Sequence, residues 1–160
     1  IISCIEGTRA LLVEVQALAT RSSFGTPERK VSGADYNRVA MIIAVLEKRT
    51  GLLLGGHDIF VNVVGGVKID EPAADLGIAI AIASSFKDVA ISGDTIIIGE
   101  LGLGGEIRGA SQFESRLKEA ERLGFKNAIV PKDNSSDTSG IKSLKITEVP
   151  SLAEAIDKIC

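Results

Sequence analysis

The run Leu76-Gly77-Ile78-Ala79-Ile80-Ala81-Ile82-Ala83 contains no polar side chain. It follows Asp70-Glu71-Pro72, which reads as a helix start: acids at the positive end of the helix dipole, and Pro in the first turn, where no N–H is missed. A helix through Ser85 that is apolar nearly all round must lie at the centre of its domain, covered on every side. It is far shorter than the roughly 20 residues a membrane span needs. The chain must therefore supply layers to enclose it. At 160 residues it suits one domain over 1–160, large enough to fold without a disulfide or metal staple.

The elements around this helix alternate. Ile1 to Glu6 reads as a strand, Gly7-Thr8 as a turn, and Ala10 to Leu18 as a second strand with Leu11, Val13, Val15 and Ala17 on one face. Thr20 to Gly33 is rich in Ser, Thr, Gly and Pro and reads as a loop or irregular hairpin. Ala34 to Arg49 is helical, with Val39, Ile42, Ile43 and Leu46 as its apolar stripe and Gly51 at its end. Strands are expected over Asp58 to Val64, Thr95 to Ile98, Ala128 to Val130 and Leu144 to Val149. Leu101 to Ile107 reads as a Gly-rich turn into a short strand. Further helices are expected over Ser111 to Leu123, stopped by Gly124, and after Ser151, whose stripe is Leu152, Ala155, Ile156 and Ile159. Lys132 to Gly140 reads as a polar loop. The expectation is an α/β domain opened by an antiparallel hairpin.

Charge and cysteine usage narrow the function. Eighteen Lys and Arg against twenty-one Asp and Glu give −3. That excludes a wholly basic nucleic-acid binder but not a local basic patch. The balance is uneven: residues 1–50 carry seven basic and five acidic side chains, and residues 51–160 carry eleven and sixteen. Cys4 and Cys160 stand near opposite ends with no CxxC, which excludes a Cys-ligated zinc site and points to a reducing, cytoplasmic setting. Nothing in the opening run reads as a signal peptide. The first residue is Ile within a strand-like run, so the sequence reads as a domain excised from a longer chain. Asn134-Ser135-Ser136 fits a glycosylation pattern and reads, without a secretory signal, as a surface loop.

Most catalytic chemistries find no residues here. His57 is the one histidine, and in Gly55-Gly56-His57-Asp58 it reads as a polar turn residue before a strand rather than a triad member. There is no G-x-S-x-G elbow, no HExxH and no P-loop. The turn Gly99 to Gly105 lacks GxGxxG spacing and opens no helix. Asp70, Glu71 and Asp75 could pair as acid and base, but carboxylates capping a helix start are the simpler account. A Ser activated by a deprotonated Lys remains open, and without a motif no pair can be chosen.

Two stretches supply that motif. Val64-Gly65-Gly66-Val67-Lys68-Ile69-Asp70-Glu71-Pro72-Ala73-Ala74-Asp75-Leu76 and Gly99-Glu100-Leu101-Gly102-Leu103-Gly104-Gly105-Glu106-Ile107-Arg108 resemble the proteolytic domain of Lon. With Glu6-Gly7-Thr8-Arg9 through Leu18, Asp35-Tyr36-Asn37-Arg38 and Leu46-Glu47-Lys48-Arg49, they resemble more closely the Lon-like C-terminal domain of the bacterial RadA (Sms) family. The resemblance covers the whole chain and implies an α/β, ribosomal-protein-S5-domain-2-like fold. It also implies a departure. Where active Lon carries its nucleophilic Ser this chain has Ala73, and where Lon carries its Lys it has Glu114. Ser111, Ser115 and Lys118 lie nearby but off register. With both halves of the dyad replaced, no peptidase activity is expected.

By that resemblance the parent is a ring-shaped ATPase of DNA recombination and repair, acting on branched intermediates. A Cys-rich zinc module and a RecA-like ATPase would lie upstream, so that ATP, Mg and Zn belong there and no cofactor belongs here. The partners implied are DNA, further copies in a ring expected to be a hexamer, and a RecA-type recombinase through the parent; no membrane is expected. Arg9, Arg29, Lys30, Arg38, Lys68 and Arg108 sit at turns and are the candidate phosphate contacts. One Tyr and five Phe, the latter mostly in apolar runs, make base stacking a poor expectation, so DNA contact should be indifferent to sequence and structure. Two alternatives stand beside this reading: an active Ser/Lys peptidase with a relocated dyad, and a pure oligomerisation scaffold.

Overall fold

The computed structural model describes residues 1–23 and 25–160, and the side chains of all of these except 135–137. Strands β1 (Ile2–Glu6) and β2 (Arg9–Val13) pair antiparallel, Glu6 opposite Arg9. Gly7 takes φ +63° at the first central position of the two-residue turn, where a Cβ would be strained. The expected second strand does not run on to Leu18. It breaks at Glu14, and β3 (Val15–Arg21) enters a different sheet. One continuous apolar alternation thus serves two sheets, which periodicity alone does not reveal.

The larger sheet has five strands in the order β10-β9-β6-β1-β2, with β6 (Thr95–Ile97), β9 (Asn127–Pro131) and β10 (Lys145–Val149) all parallel to β1. The smaller sheet has the order β3-β5-β4. Here β5 (His57–Val63) pairs antiparallel with β3 and parallel with β4 (Arg29–Ser32). The segment expected as loop therefore holds the last residues of β3 and all of β4, while Phe24 lies outside the described residues. A short hairpin, β7 (Glu100–Leu101) with β8 (Ile107–Arg108), carries the Gly-rich turn.

The apolar helix is α2 (Asp75–Lys87), entered through one 3-10 turn at Pro72–Ala74. Every residue from Asp75 to Ile80, with Ile82 and Ala83, is buried, as a helix with no polar face requires. It lies on the small sheet and against α1 (Tyr36–Thr50) and α4 (Leu152–Ile159). Asp35 accepts the Arg38 N–H at the start of α1, and Gly51 closes it at φ +74°. Helix α3 (Phe113–Arg122) covers β2 on the other side. Gly77 marks where α2 crosses the large sheet: a Cβ there would stand 2.1 Å from Ile2 Cγ2. The stretch expected as polar loop forms a 3-10 turn, Lys132–Thr138. Asn134-Ser135-Ser136 lies within it, the two Ser side chains outside the described residues. Among the described residues no helix is long and apolar enough to cross a membrane. The α/β class implied by the sequence is the class observed.

Candidate functional site

The site inherited from the Lon resemblance lies where α2 begins. After β5 the chain turns through Gly65 and Gly66, both at positive φ, and runs extended past the large sheet. The Ile69 N–H donates to the Gly33 carbonyl at 2.8 Å. Ala73 then sits buried at the entrance to α2. Its carbonyl accepts from the Gly99 N–H at 2.9 Å, and the Gly99 carbonyl accepts from Leu76 N–H at 3.0 Å. Position 73 is thus locked to the start of the β7–β8 hairpin by backbone on both sides, and its side chain is a methyl group with no atom to donate or attack.

Two arginine–carboxylate pairs bracket that methyl. On one side Glu71 receives Arg116, with N–O distances of 2.6 and 3.1 Å. Arg116 is completely buried and also donates to the Ser3 carbonyl at 2.6 Å and the Ser111 carbonyl at 2.9 Å. Glu71 in turn accepts the Ile5 N–H at 2.8 Å. On the other side Asp75, also completely buried, receives Arg38 at 2.5 and 2.8 Å and the Leu101 N–H at 3.2 Å. Burial pushes the Asp75 carboxyl above its ordinary value, with Arg38 and the Leu101 N–H pulling the other way. The two pairs tie β1, α1, α2, α3 and the β7 hairpin to one turn.

These contacts correct the expectation for Asp70, Glu71 and Asp75. Only Asp70 remains an exposed charge near the helix start. Glu71 and Asp75 are neither an acid–base pair nor solvated caps, because each is already fixed by a fork of guanidinium donors. Arg116 was not among the residues singled out by the sequence. The signal was there: it falls three residues after Phe113 and one before Leu117, on the buried stripe of α3 that continues to Ala120. A charge on an apolar stripe is a buried pair in waiting. A guanidinium does not deprotonate in a protein, so Arg116 cannot replace the lost lysine as base.

Glu114, the other dyad position, is exposed and holds Lys118 at 2.6 Å, one turn along α3. Ser111 and Ser115 are exposed. His57 begins β5, its ring edge-on to Phe86 with centroids 4.9 Å apart. Phe86 stands near the far end of α2, about 16 Å along the helix from Asp75 at 1.5 Å per residue, so His57 plays no part at position 73. Cys4 and Cys160 are both free, and burial pushes both thiols up. Among the described residues no three His, Cys, Asp or Glu gather as a metal-binding group.

The six basic candidates separate. Lys68 and Asp70 line a cleft of about 410 Å³ with Cys4, Glu6 and Glu71, at the carboxyl end of β1. Arg9 opens β2 at the same end, and Arg108 stands opposite Glu100 in the hairpin that follows β6. Arg9, Lys68 and Arg108 therefore share the carboxyl end of the parallel strands, where open α/β sheets bind ligands. All three are exposed; Arg108 pairs with Glu106 at 2.7 Å. Arg38 reaches this end too, but both of its outer donors face Asp75, so it is a structural residue. Arg29 and Lys30 lie elsewhere, on β4. Arg29 donates to the backbone carbonyls of His57 and Leu54, and Lys30 pairs with Glu28 at 2.9 Å.

The family described as subunit ChlI of Mg-chelatase matches residues 13–134. The chain belongs to this family. Its relatives include three proteins named DNA repair protein RadA. That of Bacillus subtilis (strain 168) is 49% identical over 156 residues, which cover 98% of this chain and 34% of the relative. That of Synechocystis sp. is 50% identical over 145 residues, covering 90% and 29%, and that of Streptococcus pneumoniae 45% over 159, covering 99% and 38%. The chain thus corresponds to one region of a RadA-type protein, as its motifs implied, and spans about a third of the length of those relatives.

Proposed function

We propose that this ChlI-family chain is a non-peptidase, Lon-like part of a RadA-type DNA repair and recombination protein, serving ring assembly and sequence-independent DNA contact. The observation that carries the reading is Ala73. A protease-shaped entrance is kept in place by two buried ion pairs, yet the group that would attack a peptide is a methyl and Glu114 stands where the amine would be. A scaffold maintained at that cost in buried charge, without its chemistry, is one retained for what it holds.

The DNA-contact part rests on Arg9, Lys68 and Arg108. Guanidinium and ammonium groups at one end of a sheet meet phosphates without reading bases. The acids around them keep a single copy weak. Six copies in a ring repeat the patch, and multivalency then makes binding both tighter and steeply salt-dependent. By the same reading, nucleotide, Mg and Zn chemistry and any recombinase contact belong to other parts of a RadA-type chain.

Two assays test this. A serine-reactive probe with a casein substrate should label nothing and release no peptide; covalent labelling of any Ser would restore the peptidase reading. Sizing of the purified chain at high concentration should give a ring-sized species, whereas a monomer at every concentration would remove assembly from the account.

A further inference from the structure

The small sheet has two unlike faces. Ala17, Val31, Ile59 and Val61 turn towards α2 and the core. On the other face Phe60 occupies the central strand, with Leu18 directly opposite on β3 and Lys30 directly opposite on β4. Leu18 is 53% exposed, Phe60 is partly exposed, and the Lys30 ammonium stands 5.8 Å from the ring centroid. The next row in register is Gln16, Asn62 and Ser32, all exposed. Thr20 lies opposite Asp58 on the other flank.

We infer that this face takes the unstacked bases of single-stranded DNA, with Phe60 as the stacking ring. The inference rests on the DNA-contact reading above and adds a second surface to it, on the sheet that does not carry Arg9, Lys68 or Arg108. A ring on the central strand offers a π-face that every base can use. Amides and hydroxyls stand one row away, about 6.6 Å along the strand, within reach of the edges of a base laid on that ring. Bases inside a duplex cannot reach it, so the surface selects single strands. A protein partner fits less well: interface cores need contiguous apolar area, and here one leucine and one ring are bordered by polar side chains.

Charge sets how such binding behaves. The Asp58 carboxylate accepts the Glu28 N–H at 2.8 Å, and Glu28 holds Lys30. The face is close to neutral, so stacking rather than phosphate contact carries it, and its share of the affinity is nearly independent of salt. The expectation that no Phe was placed for stacking fails at Phe60 for a simple reason. Ile59-Phe60-Val61 reads as an apolar run, but strand alternation turns its middle residue outward.

The chain contains no Trp, so Phe60→Trp creates a single-tryptophan reporter at the site. Its fluorescence should be quenched by a short oligothymidine and not by a duplex of equal length. Phe60→Ala and Phe60→Leu should each weaken oligothymidine binding about tenfold with an unchanged salt slope, and Phe60→Tyr should retain it; melting curves confirm that each variant folds. DNA binding by Phe60→Trp without quenching, or wild-type affinity in Phe60→Ala, would overturn the inference and leave the loop cations standing. Quenching that follows protein concentration instead of DNA would mark a self-association face and overturn it as well. If no DNA binds even at low salt, the underlying reading falls with it.

Discussion

Arg116 and Asp75 show how one residue can decide what a site does. Each is a charge with no access to water, and each is tolerable only because its partner and several further groups saturate it. Removing one partner strands the other. Glu71→Ala should therefore cost about 3–5 kcal/mol, read as a loss of unfolding free energy in urea, and Arg38→Ala should be costly in the same way by stranding Asp75. A double-mutant cycle between Glu71 and Arg116 should return strong coupling; independent effects would mean the pair holds nothing. Titration gives a second prediction. Hydrogen bonds from the Lys142 and Ser143 backbones hold the Glu121 carboxyl below its ordinary 4.5, and Asp94 is held below 3.8 by Ser92 and Asn127. A lowered carboxyl stabilises the fold above its ordinary value and loses that contribution as pH falls through its folded value. Asp75, raised, acts in the opposite sense, its contribution falling as pH rises past 3.8. Stability should therefore decline below about pH 4.5, and Glu121→Gln should flatten that decline. An unaltered melting profile in the variant would contradict the assignment.

At the scale of elements, α2 is the piece on which the fold depends. Ile78→Asp or Ile80→Asp puts an unpaired charge into a fully buried helix and should abolish folding, since the cost is several kcal/mol or more. A soluble variant with a cooperative melt would refute the placement. Gly77→Ala tests the crossing with β1 more finely. Its Cβ would meet Ile2 Cγ2 at 2.1 Å, so it should destabilise by about 1–3 kcal/mol, and Ile2→Ala in the same chain should restore part of the loss. The elements were largely legible in the sequence because periodicity and caps are local: the helix entered at Pro72, the Gly51 and Gly124 stops, the Ser151 cap and the opening hairpin stand where their residues put them. The break at Glu14 was not, because both halves of that strand are apolar on alternate positions and only the partner sheets differ. β4 was hidden because its four residues lie in a Ser-, Gly- and Pro-rich stretch and pair with β5 across long sequence separation. At the site, the loss of the dyad was legible from Ala73 and Glu114. The pairs that bracket it were not, since nothing local joins Glu71 to Arg116 or Asp75 to Arg38.

For the whole molecule, the arrangement separates two surfaces. Arg9, Lys68 and Arg108 stand at the carboxyl end of the parallel strands, and Phe60 lies on the outer face of the other sheet. The first surface works through charge and should fade with salt; the second works through stacking and should not. The central claim, that a protease-shaped body without a dyad serves to contact DNA, is tested most directly by the salt dependence of DNA affinity for the purified chain and its Arg9→Ala/Lys68→Ala/Arg108→Ala variant. The account predicts that wild type binds duplex and single strands at low salt with affinity falling steeply as salt rises, and that the folded triple variant binds weakly with a slope reduced by roughly one per cation removed. A triple variant that matches wild type in both affinity and slope would contradict it.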